Sequence, residues 1–228
     1  MLECIKYNLC FPRPKRCFFT MARCTKEEAF ATHEQLLDAA ERVFFEQGVS
    51  RTSLQDIAQA AGVSRGAIYW HFKNKADLFN AMMARITLPM ETTLQCIGAD
   101  DGRDPLEALR HAIVDAMRKI ASDERTRRVF EVATLKVEYV DELLAVKARQ
   151  LQTQTDAVLR MSLSLQNTST RQAVILPISP LTAAQGLHAL VVGLIHTWLL
   201  APQAFALVEV AEASVIAYLT GLGLSARR

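Results

Sequence analysis

Residues Thr52–Lys75 read TSLQDIAQAAGVSRGAIYWHFKNK, and their spacing predicts a helix, a tight turn and a second short helix. Thr52 is placed to cap the first helix, with Gln55 reaching back to it in a reciprocal capping box. Leu54, Ile57, Ala58 and Ala61 then share one face at helical spacing. Gly62 takes the turn, where positive φ costs a glycine nothing. Ser64 caps the next helix, whose inward side is Ala67, Ile68 and Phe72. Arg65, Gly66, Tyr69 and part of Trp70 are left facing out. A helix that shows an arginine, a bare glycine backbone and a tyrosine to solvent is poor core material. It suits the major groove of DNA, where arginine donates twice to guanine and tyrosine meets a thymine methyl or a phosphate.

The run Gly66-Ala67-Ile68-Tyr69-Trp70-His71-Phe72-Lys73-Asn74-Lys75 is more specific than the spacing. It resembles the end of the recognition helix in the TetR family of transcriptional repressors, with its Tyr-x-His-Phe-x-x-Lys pattern. The stretch from about Met21 to Pro89 is similar to the branch of that family that represses multidrug efflux pumps. A firmer echo lies in Gly193-Leu194-Ile195 through Trp198-Leu199-Leu200. The resemblance implies an operator-binding homodimer with a cavity for a hydrophobic, drug-like effector. It also implies that the lysine at Lys75 contacts the DNA backbone and that Tyr69 lies against DNA. On this reading Arg65, Tyr69 and the Gly66 backbone read bases, while Thr52, Ser53, Ser64, His71 and Lys75 hold phosphates. Trp70 and Phe72 are assigned chiefly to packing within the head. Arg23 and Lys26 form either a basic arm or a solvated tail.

Charge is unevenly spread. The chain of 228 residues carries a formal net charge of only +2, which excludes a uniformly basic nucleic-acid binder. Arg51, Arg65, Lys73 and Lys75 nevertheless stand against Asp56 alone between positions 51 and 75. The preceding helix holds Glu27, Glu28, Glu34, Asp38, Glu41 and Glu46, so one face is expected to turn toward phosphate and the other away. Five cysteines, with Cys4, Cys10 and Cys17 near the start, form neither a disulfide framework nor a metal-ligand spacing, and suit a reducing cytosol. Met21-Ala22-Arg23 reads as a natural beginning. Residues 1–24 are therefore expected to be an extension, disordered or upstream of the native start.

Hydrophobic periodicity organises the remainder as all-α, about nine helices in two parts. A three-helix helix-turn-helix head spans residues 25–73, opened by Thr25-Lys26-Glu27-Glu28 and with Gly48 stopping its first helix. A helical ligand-binding and dimerisation domain spans 74–228. Asn74 caps the helix that links the two, and Asp104-Pro105 opens another after a polar loop at Gly98–Asp104. A long amphipathic helix is expected from Val137 to about Leu165, then an irregular connection from Asn167 to Ile178. Ser179-Pro180 opens a helix to Leu200, and Gln203–Leu222 forms the last. The apolar run Leu187–Leu200 reads as a core or interface helix, too short and too polar to span a bilayer.

For the cavity, Leu109, Ile113, Met117, Phe130, Leu135, Glu138, His188 and Val192 supply soft apolar positions with a few polar handles. Each of these is also ordinary core material. Trp198, Leu199, Val208, Val215, Tyr218 and Leu219 on the last two helices exceed what outer helices need to bury. They are expected to form a four-helix dimer seam, although the chain's own core is an alternative place for them. His111, His188 and His196 lack an i,i+4 histidine, cysteine or carboxylate companion, so neither a metal site nor a cofactor is expected. Motifs of catalytic nucleophile elbows and phosphate-binding loops are missing, and no enzyme is expected. The alternative within DNA binding is an architectural protein without an effector, marked by sequence-tolerant binding that small molecules leave unchanged. The implied partners are double-stranded DNA, a hydrophobic effector and a second copy, with no membrane and a cytoplasmic location.

Overall fold

A computed structural model of the protein describes residues 26–95 and 104–225. The expected N-terminal extension, Met21, Arg23, the three early cysteines and most of the Gly98–Asp104 loop lie outside the described residues. Within them the chain is all-helical. The elements are α1 (Lys26–Gln47), α2 (Leu54–Ala60), α3 (Arg65–His71), α4 (Lys75–Gln95), α5 (Pro105–Ser122), α6 (Glu124–Leu135), α7 (Leu144–Gln172), α8 (Pro180–Leu200) and α9 (Leu207–Gly221). A 3-10 turn, Asp141–Leu143, precedes α7.

Capping chemistry fixes most of the starts. Ser64 Oγ accepts from Ala67 N at 3.2 Å, Asn74 Oδ1 from Asp77 N at 2.8 Å, and Asp104 Oδ1 from Leu106 N at 3.0 Å. Gly48 and Gly62 both take positive φ, 81° and 67°, at the ends of α1 and α2. The box at α2 lies one residue later than its sequence suggests. Ser53, not Thr52, is the cap, and Asp56 answers it, with Ser53 N donating to Asp56 Oδ2 at 2.8 Å. Thr52 is instead buried, its hydroxyl donating to Gly48 O at 2.8 Å.

The long helix also differs from its expected bounds. It starts at Leu144 and runs to Gln172, through a polar stretch that reads as a connection. Within it the hydroxyls of Thr168 and Thr170 donate to carbonyls four residues back, so these polar side chains find partners along the helix itself. Ala173 at φ 52° then ends it, and Val174 N donates to Ser169 O at 3.0 Å.

Two apolar cores result. The first joins Leu36, Val43 and Phe44 of α1 to Ile57, Ile68, Phe72 and Met82, and continues into Val129, Val132 and Val146 of the downstream helices. The second packs Leu109, Ile113 and Met117 of α5 against Leu165, Leu187, Trp198, Val215 and Leu219. The whole of helix α8, Pro180–Leu200, is long and apolar enough by length and composition alone to cross a bilayer, a property that the core helix of a soluble protein shares. Its inner side is packed within the second core, and its outer side is considered below.

Candidate functional site

Helix α3 presents the face that its spacing requires. Arg65, Gly66, Tyr69 and Trp70 are exposed, Ala67 is half-buried, and Ile68 and Phe72 are buried. The Arg65 guanidinium lies 5.7 Å from the Tyr69 ring centroid, one helical turn away, so the two form a single polar-aromatic edge. Trp70 is 72% exposed rather than packed in the head. It follows Gly66 by four residues and shares its outward face, while Phe72 takes the inward space beside His33, ring centroids 5.0 Å apart. His71 stands edge-on to Trp70 and to His33, and burial, with His33 nearby, pushes its pKa down. Gly66 has no positive φ, and a Cβ there would meet only Ser64 Oγ at 3.9 Å. The protein's own packing thus gives no reason for a glycine in this helix, where it is costly.

Lys75 lies differently from its reading as a phosphate anchor. It is 7% exposed, and Nζ donates to Thr52 O at 2.9 Å and Ser50 O at 3.3 Å, with Glu142 Oε1 at 2.5 Å. The loop between α1 and α2 leaves buried carbonyls, and the lysine stem brings a cation to them. Thr52, whose carbonyl it holds, is equally internal. Ser53, Ser64, Arg51 and Lys73 are exposed around α3, so the solvent-facing positive groups here are Arg51, Arg65 and Lys73. The carboxylates Glu34, Asp38 and Glu41 are not simply a repelling face. They bind Arg85 of α4 and Arg125 of α6.

Behind the head lies a cavity of about 530 Å³ between α4, α5, α6, α7 and α8. Ile86, Pro89, Ala112, Ile113, Ala116, Met161 and Val191 give it apolar walls, and Arg85, Asp115, Lys119, Asp123, Arg125 and Thr126 complete the lining. Of the expected pocket residues, Ile113 is at this cavity. Leu109 and Met117 are buried in the second core, where α5 turns them toward α9, and Phe130 packs against that core. Leu135 and Glu138 border a separate, polar cleft beside the α1–α2 loop. His188 is half-buried, burial pushing its pKa down, and Val192 is 42% exposed. A rotation of one position along α8, from Val192 to Val191, decides which side chain reaches the cavity. Arg85 and Arg125 carry no apolar signal, so periodicity could not have found them.

Asp123 at the cavity rim is held down to about 2 by the Thr126 hydroxyl and then by Lys119, whose Nζ lies 2.9 Å away. A carboxylate with a depressed folded pKa adds stability above its unfolded value and loses it as pH falls from about 4 to about 2. Thr126→Val should therefore cost roughly 0.5–1 kcal/mol near neutrality, the partial exposure of Asp123 screening the interaction. That cost should shrink between pH 4 and pH 2 in denaturant titrations. A deficit independent of pH would assign the loss to the threonine packing alone.

The expected dimer residues are mostly internal. Trp198, Leu199, Val215 and Leu219 are buried in the second core, and Val208 and Tyr218 pack against it. Tyr218 Oη donates to Ala183 O at 2.9 Å, across a close approach that Gly186 permits. What faces outward is a second stripe: Gln185, Ala189, Val192, His196 and Leu200 on α8, with Ala213, Ile216 and Thr220 on α9. The sequence pattern of a helix apolar on both sides did not say which side was inward. His111 has a carboxylate companion after all, Glu107 at 3.6 Å, but Arg110 holds the same oxygen at 2.8 Å.

Residues 36–82 match the family described as bacterial regulatory proteins, tetR family, and residues 104–223 match the MAATS-type transcriptional repressor C-terminal region. The HTH-type transcriptional regulator TtgR of Pseudomonas putida is 37% identical over 182 residues, covering 80% of this chain and 87% of TtgR. The crystal structure of NalD, the secondary repressor of the MexAB-OprM multidrug efflux pump in Pseudomonas aeruginosa, superposes with a TM-score of 0.78 at 34% identity. That likeness covers 86% of this chain and 98% of NalD. SmeT, the repressor of the Stenotrophomonas maltophilia multidrug efflux pump SmeDEF, gives 0.72 at 33% identity over 84% of this chain and 90% of its own. It has also been solved as a complex with triclosan. The chain belongs to the TetR family of bacterial regulators.

Proposed function

We propose that this member of the TetR family is a homodimeric repressor that binds a palindromic operator, controls a multidrug efflux operon and is released by hydrophobic, drug-like effectors. Control of efflux pumps by NalD and SmeT, and the triclosan complex of SmeT, support the biological setting. The observation that carries the reading is the shared wall: Arg85 and Arg125 line the cavity and also grip the head's first helix. Occupying the cavity therefore bears on where the head sits.

On this reading the head comprises about residues 25–73, and the ligand and dimer functions reside in 74–228. Arg65, Tyr69 and Trp70 meet base edges, and Gly66 lets the backbone come close to the duplex, which accounts for a glycine that packing does not require. Ser53, Ser64, His71, Arg51 and Lys73 hold phosphates. Thr52 and Lys75 shape the loop instead. Two heads must sit about 34–36 Å apart, or a multiple of it, to read successive major grooves, so a ligand that favours another spacing weakens operator binding by its differential affinity. The dimer seam is the exposed α8–α9 stripe, which also accounts for the apolar outer side of α8. The protein acts in the cytoplasm, as a regulator and not an enzyme.

Gel shifts on the promoter region upstream of its own gene, with and without hydrophobic antimicrobials, test this. Saturable, sequence-specific retardation that the compounds relieve is expected. Sequence-tolerant retardation indifferent to every compound would favour an architectural role. Val192→Asp, in the middle of the exposed stripe, is expected to sediment as a monomer and to lose operator affinity by about tenfold or more, because a central apolar interface residue becomes a charge. Unchanged sedimentation would move the seam elsewhere.

A further inference from the structure

The polar groups around the cavity are satisfied unequally. Both lining aspartates are engaged, Asp115 by Arg118 and Asp123 by Lys119 and Thr126. Arg85 is engaged only at its far end. Nη1 donates to Glu34 Oε2 at 2.9 Å, and Nη2 lies 3.0 Å from Asp38 Oδ1 and bonds Glu41, which is itself buried. Burial opposes charge on Arg85, yet the bonds to Glu34 and Glu41 outweigh it and push its pKa up. The buried Nε has no hydrogen-bond partner within the protein. Arg85 thus brings to the cavity wall a permanent cation with one donor unmet, and because that donor has almost no accessible surface, an acceptor reaches it only as the guanidinium shifts from α1.

The helix carrying Arg85 is soft at the same turn. Pro89 lies four residues on, also in the cavity wall, and has no N–H to give the Arg85 carbonyl. Arg125 ties α6 to the same carboxylates, Nη2 lying 2.5 Å from Asp38 Oδ1 and Nε 3.1 Å from Glu41 Oε2. Three carboxylates of the head thus share the guanidiniums of two arginines that both line the cavity. An anionic oxygen placed on Arg85 competes directly with Glu34, Asp38 and Glu41.

We propose that Arg85 is the effector sensor of this chain: it recognises an apolar, ring-bearing acid by accepting that ligand's anionic oxygen on its guanidinium, and in doing so loosens α1 from α4. The apolar walls hold the ring system, and the unmatched Nε–H selects the oxygen. This rests on the cavity being the effector site, and it adds the ligand's polar signature and the residue that reads it.

The test uses two probes of similar shape, 1-naphthoate and 1-methylnaphthalene, titrated calorimetrically into the full-length protein and its variants. Wild type is expected to prefer 1-naphthoate by about tenfold or more, the scale of one charge-assisted hydrogen bond. Arg85→Lys keeps the positive charge without Nε and should bring the two probes within about threefold of each other. Glu34→Gln leaves the cavity lining intact and weakens a competing acceptor. It should bind 1-naphthoate several-fold more tightly, with 1-methylnaphthalene unchanged, so the proposal stays testable even where Arg85→Lys folds poorly. Equal binding of both probes by wild type, or a naphthoate affinity unmoved by Glu34→Gln, overturns the sensor role and leaves the cavity reading standing. Binding of neither probe overturns both.

Discussion

Arg65→Ala and Tyr69→Ala are each expected to lower operator affinity by roughly 1–3 kcal/mol, and the double variant to abolish specific binding at physiological salt. Both side chains are exposed, with the Arg65 guanidinium 5.7 Å from the Tyr69 ring centroid. Their loss opens no cavity and strands no buried group, so the melting curve should stay as in wild type. Competition gel shifts with scrambled DNA measure the specific component. Two variants that hold operator as wild type does would mean that α3 is not the reading helix.

Lys75→Met is expected to act in the opposite way, through the fold. Its ammonium satisfies two loop carbonyls and pairs with Glu142 beyond the head. Replacing it with an apolar chain of similar length leaves those carbonyls without a donor, at a cost of roughly 2–4 kcal/mol. That corresponds to a fall in melting temperature of about 4–16 °C for a protein of this size. The salt dependence of the DNA binding that remains should be unchanged. Normal stability combined with a salt slope reduced by about one phosphate contact would restore Lys75 to the DNA backbone.

These two variants mark where the sequence was legible and where it was not. The α2–turn–α3 unit could be read because each step is local: Ser64 caps, Gly62 turns, and Ile68 and Phe72 recur at helical spacing. The box at α2 slipped by one residue because Thr52 and Ser53 are both competent caps. Only the demand of Gly48 O for a donor separates them. Lys75 and the acids of α1 looked like opposite faces of an electrostatic surface, but their partners lie far along the chain, on Glu142, Arg85 and Arg125. Pairings of that range leave no mark on local composition.

The second half was harder for a related reason. Helices α8 and α9 are apolar nearly all round, so periodicity could not separate the side in the core from the side on the surface. Trp198 and Leu199 went inward, while Val192 and Leu200 stayed out. The cavity depends on where five helices fail to meet, and only Ile113 among the expected residues borders it. Its charged floor was invisible to a search for apolar positions.

If ligand sensing and operator reading are distinct sites joined through the cavity wall, Ile113→Trp separates them, as followed by fluorescence anisotropy of labelled operator across a titration with hydrophobic antimicrobials. Ile113 borders the void, so an indole there fills space that an effector would take. The variant should bind operator as tightly as wild type, keep its melting temperature and fail to release the DNA at ligand concentrations that free the wild-type complex. A variant destabilised by roughly 1–3 kcal/mol through overpacking, yet still released by the same compounds, would contradict the account and place the effector elsewhere.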